Sequence, residues 1–248
     1  MRKLFLYELK RAYKPYVTEL LFIAGLIFSR LDHDIAVFPS SSGFQITTLI
    51  LISVSRKIGL YGLVILPLVG IIIGSSISKD IEDNQILLTL MLANSRVKAI
   101  IYRFIALVIF YGTLISIPLG VNFLSLLLPS QVILPIFFIV YCYFLSVSLF
   151  SSSIAIITRS SLISSVFLIL ILYSPTFYFM LQPIYNKTFL LYFLLGFLPT
   201  TGLYGFALGL GEIDSIYAFY YGISFLVILS VLLFLLSLIM LKIYDLVM

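Results

Sequence analysis

Charge is scarce in this chain. Of its 248 residues only 10% are Asp, Glu, Lys or Arg, against about a quarter in an average soluble domain. Apolar side chains make up 62% and the mean hydropathy is +1.22. So much apolar surface cannot be hidden in one water-soluble core of this size, which excludes a soluble enzyme, a disordered chain and a nucleic-acid-binding domain. There is one cysteine, Cys142, and therefore no intramolecular disulfide. There is one histidine, His33, between Asp32 and Asp34. Asp-His-Asp is a conceivable metal or pH-sensing group, but no second His or Cys lies near it, and a solvated outer loop is the better reading. A phosphate-binding P-loop is missing as well: the only Lys followed by Ser or Thr is Lys187-Thr188, without the glycines the loop requires.

What charge there is marks the ends of apolar runs. A bilayer core about 30 Å thick needs about 20 apolar helical residues. Uncharged stretches at 58–78, 104–158 (long enough for two spans, with Pro129, Ser130 and Gln131 as the turn), 160–186 and 215–241 meet that length. The reading is an all-α integral membrane protein, one transmembrane domain over 1–248, with six transmembrane helices at about 16–31, 58–78, 100–124, 132–157, 161–183 and 217–241. The stretch 188–211 is cut by Pro199, Thr200, Thr201 and Gly202 into two short pieces, which suits a re-entrant or outer helical element before the last span. A seventh span is the alternative there.

Orientation follows from Lys and Arg. With the N-terminus inside, Arg2, Lys3, Lys10, Arg11, Lys14, Lys79, Arg96, Lys98, Arg103, Arg159 and Lys242 are inner, and Arg30, Arg56, Lys57 and Lys187 outer. That excess predicts a multi-pass protein of the cell (plasma) membrane with both termini cytoplasmic. It also accounts for the net charge of +5 without nucleic acid. Asn186-Lys187-Thr188 is a glycosylation sequon in a predicted outer loop.

Two cytoplasmic segments carry further pattern. Residues 1–15 read as a basic amphipathic helix lying in the interface: Phe5, Leu9, Ala12 and Tyr16 share a face, and Lys3, Lys10, Arg11 and Lys14 lie mainly opposite. Pro15 is expected to end that helix. Charges at Glu8, Lys10, Arg11 and Lys14 interrupt the run a cleaved signal would need. In the loop 79–98, Asp80, Glu82 and Asp83 are placed as the acidic first turn of a short helix. Ile86, Leu87, Leu90 and Met91 form its apolar stripe. Asn94 or Ser95 is placed to cap the third span, with Arg96 and Lys98 at the head groups. An exposed apolar stripe needs lipid, the bundle or a partner protein to cover it.

This layout resembles the permease subunits of ATP-binding-cassette exporters of the type-2 class. Those have a basic amphipathic helix before six spans. After the second span they carry an acidic residue, a Gly-Thr, a leucine pair and a Pro-x-Ser-Arg. The matching residues are Glu82 or Asp83, Asn84-Gln85, Leu87-Leu88 and Asn94-Ser95-Arg96, with Asn-Gln in place of Gly-Thr and Ala93-Asn94 where the family has its proline. Ser151–Arg159, Leu198-Pro199 and Asp245-Leu246 are further matches. The resemblance implies that Glu82, Asp83, Ile86, Leu87, Leu90, Met91, Ser95 and Arg96 form a coupling helix docking on cytosolic ATPase subunits. It also implies a second permease subunit, identical or related. ATP and Mg would sit on the partner ATPase, and this chain, not itself an enzyme, would bind no cofactor. Apolar and aromatic walls suggest an amphiphilic, lipid-like or peptide cargo. A non-transporting membrane anchor or self-protection protein is the alternative. An ion-coupled carrier is disfavoured because spans two, four, five and six carry no charge, and charge at bilayer depth is normally kept for ion pathways.

Overall fold

The structure, a computed structural model, describes residues 2–30, 64–83, 95–125, 130–170 and 213–247. All the regular structure among them is helical: α1 (Arg2–Ala12), α2 (Pro15–Arg30), α3 (Val64–Glu82), α4 (Arg96–Ser125), α5 (Ser130–Thr158), α6 (Ser161–Leu170) and α7 (Ile213–Val247). Four of them, α3, α4, α5 and α7, are long and apolar enough to cross a membrane, which fits a membrane protein, all-helical among the described residues. At a rise of about 1.5 Å per residue, the 16 residues of α2 reach about 24 Å, short of the hydrocarbon thickness. The segments that follow α2 and α6, together with His33, Asn186, the stretch 188–211 and residues 84–94, lie outside the described residues.

Helix boundaries follow local chemistry. Pro15 is the first residue of α2, where its fixed φ and missing N–H are harmless, and the Lys14 carbonyl accepts the Thr18 amide at 2.9 Å. Ser95 opens α4, its carbonyl accepting the Ala99 amide at 3.0 Å. The acidic residues differ from expectation. Asp80 and Glu82 end α3 rather than starting the next helix, and Asp83 follows in a turn. Carboxylates at a helix C-terminus oppose its dipole, and the partners described below offset that. Between α5 and α6 the chain reverses through Arg159 and Ser160. Arg159 has φ 56°, a left-handed conformation that costs a residue with a Cβ about 1–2 kcal/mol and lets its amide close α5 on Ala155 at 3.1 Å.

The helices pack so that one end of the bundle collects the basic residues. α4 runs antiparallel to α5: a Cβ at Gly112 would lie 3.2 Å from Phe144, one at Gly120 3.9 Å from Phe137, and the Ser116 and Tyr141 hydroxyls are bonded. α7 packs chiefly along α5 and reaches α4 through Phe104 and Phe234, ring centroids 4.8 Å apart. α3 meets α5 and α6 at Gly74, where an added Cβ would sit 2.5 Å from Leu168 Cδ1 and 3.1 Å from the Ser151 carbonyl. Such close approach needs a small residue. The core is centred on Ile65, Leu66, Ile73, Ile100, Leu107 and Tyr143. Large apolar side chains on the outer faces of α2, α6 and α7, such as Leu20, Leu162 and Leu236, are exposed, as a lipid-facing surface requires. Four serines of α5 bond back to their own helix: Ser146 to Cys142, Ser148 to Phe144, Ser152 to Ser148 and Ser153 to Leu149, all at 2.7–2.8 Å, whereas the buried Ser151 hydroxyl has no partner among the described residues. The four thereby satisfy themselves without a neighbour.

Candidate functional site: a buried charge cluster at the basic end

Glu8, Asp80 and Arg103 are almost completely buried, at 0%, 6% and 5% exposure. They come from α1, α3 and α4, and they meet. The Arg103 guanidinium donates from Nε to Asp80 Oδ2 at 2.8 Å. Its Nη1 donates to Glu8 Oε2 at 3.2 Å and to the Glu8 carbonyl at 3.3 Å. Its Nη2 donates to Ser76 Oγ at 3.0 Å. Arg11 closes the group from the solvent side, 2.5 Å from Asp80 Oδ1 and 3.8 Å from Glu8 Oε1. Two carboxylates and two guanidiniums sum to zero charge, the condition under which ions are tolerated at such a depth. The planar fork of arginine reaches four acceptors on two other helices at once, which a lysine ammonium cannot do.

Local sequence explains how these groups converge. The line of α1 turned to the bundle is Leu4, Glu8 and Ala12, at i, i+4 and i+8, with Arg11 beside it. Leu4 packs on Ala99 and Tyr102, and Tyr13 stacks edge-on against Phe110, centroids 6.2 Å apart. Phe5 and Leu9 border the buried line, half-buried, while Lys10 and Lys14 are exposed. The Lys3 side chain lies outside the described residues. On α3, Ser76 and Asp80 are one turn apart and share the face toward α4. Lys14 titrates below the ordinary lysine range. Although the residue is at the surface, neighbouring atoms partly desolvate its ammonium, which is the main cause; repulsion from Arg103 comes next, partly offset by Asp80.

Glu82 and Asp83 are both exposed, and Glu82 makes a separate tie. Its Oε2 accepts the Ser161 amide at 2.9 Å, so the end of α3 caps the start of α6, using negative charge where a helix N-terminus favours it. Replacing Glu82 by Ala is therefore expected to raise the deuterium uptake of the first amides of α6 several-fold, with Asp83→Ala without effect. Peptide-resolved hydrogen exchange distinguishes the two.

Of the residues expected to form the docking helix, Ile86, Leu87, Leu90 and Met91 lie outside the described residues, while Glu82, Asp83, Ser95 and Arg96 flank that gap. Arg96 and Lys98 are exposed. Of the cluster, sequence reading singles out only Arg11 as a site residue, on the interfacial helix; it places Asp80 in an acidic helix start and passes over Ser76, Glu8 and Arg103 as site residues. The signal for the last two was an acidic residue on an otherwise basic helix, Glu8, and a lone arginine seven residues into an apolar helix, Arg103. Comparison with protein-family models, curated proteins and solved structures finds no match for this chain.

Proposed function

We propose that this chain is the permease subunit of an ATP-driven exporter, energised by separate cytosolic ATPase subunits that bind ATP and Mg and paired with a second permease subunit. The observation that carries the reading is the clamp at both stems of the 84–94 segment. Asp80 lies four residues before it and Arg103 nine residues after it, and they are bonded to each other and to α1. Glu82 is bonded to the start of α6. A push on that segment would reach α1, α3, α4 and α6 together, the rigid-body response that switching access between two faces of a bundle demands. Free loops on unclamped stems would absorb the displacement.

In this reading α1 lies at the cytoplasmic surface of the plasma membrane and six spans alternate from it, so the ends of α3, α5 and α7 and the starts of α4 and α6 share the inner face. The element 188–211, between the fifth span (161–183) and the last, then leaves and returns on the outer side, as a re-entrant or outer element does. The cargo is amphiphilic, lipid-like or a peptide.

The test is capture of the full-length chain from native membranes in mild detergent. A P-loop ATPase is expected to co-purify, and the double variant Leu87→Asp, Leu90→Asp is expected to lose it at least tenfold while keeping its own monodisperse profile, because two charges on the docking stripe cannot be buried unpaired. Absence of any ATPase from the wild-type sample, or full retention by the double variant, would overturn the reading and leave the non-transporting anchor.

A further inference from the structure

At the basic end of the bundle a cleft of about 220 Å³ opens between α5 and α7, lined by Ile156, Ile157, Arg159, Ser237, Met240 and Leu241. Its walls are apolar apart from Arg159 and Ser237, and the Ser237 hydroxyl is already bonded to the Phe234 carbonyl at 2.7 Å. The volume equals roughly seven waters at about 30 Å³ each, yet the walls offer water few partners. The cleft is continuous with the lipid-facing surface of α7, where Leu236, Ile239 and Ile243 are more than half exposed. Charge collects at the rim. Arg159 is held there by its left-handed backbone at the α5–α6 reversal, and exposed Lys242 follows Leu241. Two basic residues thus stand at the rim.

We infer that this cleft binds an anionic phospholipid, with an acyl segment between α5 and α7 and the phosphate at Arg159 and Lys242. Three observations coincide: the apolar cleft opens to the lipid surface, it lies where α5 and α7 end and the apolar span gives way to polar residues, and its rim is basic. Basic pockets between transmembrane helices suit anionic head groups. The inference does not depend on the transport reading.

The chain contains no tryptophan, so a single introduced indole reports its own lipid neighbours. Met240→Trp, and independently Ile157→Trp should the first fail to fold, places the indole in the cleft. Leu20→Trp, on the exposed face of α2 near its start, is the control. Each is reconstituted in phosphatidylcholine vesicles containing a minor fraction of phosphatidylglycerol, with bromine on the acyl chains of one lipid or the other. Contact at the cleft is expected to be enriched roughly fivefold for the anionic lipid, against a smaller preference at Leu20→Trp. Adding Arg159→Gln and Lys242→Gln should bring the cleft down to the control value. Equal preference at cleft and control overturns the proposal, and so does a cleft preference that survives loss of both basic residues.

Discussion

Arg103→Met is expected to be the most damaging single substitution in the described part of this protein. It takes away from Glu8 and Asp80, both buried, the guanidinium that is bonded to each of them. Breaking a buried ionic group from one side costs about 3–5 kcal/mol. Set against a total stability of about 5–15 kcal/mol, that is a large fraction, so the variant should express poorly and lose its thermal transition in detergent. Arg103→Lys keeps the charge and loses the fork, and should fall between. The revealing comparison is with the triple variant Glu8→Gln, Asp80→Asn, Arg103→Met. If the loss comes from uncompensated charge, removing every stranded ion recovers most of the transition, because a buried ionic group is worth little relative to neutral packing. A Tm of Arg103→Met within about 1–2 °C of wild type would mean that the cluster contributes no stability.

Gly74 should respond next most strongly. Glycine to alanine within a helix gains about 1 kcal/mol of propensity, so an unconstrained site would be stabilised. Here the new methyl would meet Leu168 Cδ1 at 2.5 Å, the Ser151 carbonyl at 3.1 Å and Ser151 Cβ at 3.3 Å. Overpacking of this kind costs about 1–3 kcal/mol. The clash therefore outweighs the propensity for alanine, and valine should prevent α3 from seating on α5 and α6. The Leu168 methyl ends a flexible side chain, whereas the Ser151 carbonyl is backbone. Gly74→Ala combined with Leu168→Ala should accordingly recover only part of the loss in a thermal-unfolding measurement. A Gly74→Ala protein more stable than wild type would show that the helices can separate there at no cost.

Four of the six expected spans were readable because a single physical demand, burying about 20 consecutive residues in hydrocarbon, leaves a coarse mark on the sequence. The uncharged runs at 58–78 and 215–241 overlap α3 and α7, both long and apolar enough to cross, and the basic residues in the described helices, Arg30 at the end of α2 apart, gather at one end of the bundle. The charge cluster was not readable in the same way. Helical periodicity on α1 selects Phe5 and Leu9, because it ranks residues by hydropathy, whereas the line that is buried contains Glu8. A carboxylate enters a core only when its counter-ion is waiting, and here the counter-ion is 95 residues away. The acidic run at 80–83 misled for a related reason. Its chemistry suits a helix start, but Asp80 and Glu82 sit at the end of α3 because Arg11, Arg103 and the Ser161 amide supply there what the dipole withholds.

The position of the cluster also fixes an order of assembly. Synthesis proceeds at about 5–20 residues per second, so the 95 residues between Glu8 and Arg103 take about 5–20 s to emerge. During that interval α1 has its carboxylate but not its buried partner, and it has to wait in water or among head groups. It docks only when α4 arrives, bringing Arg103 against Asp80 and completing a neutral group in one event. The first helix to be made is thus seated only after α2, α3 and α4 have been made, and its docking registers that α3 and α4 have come together.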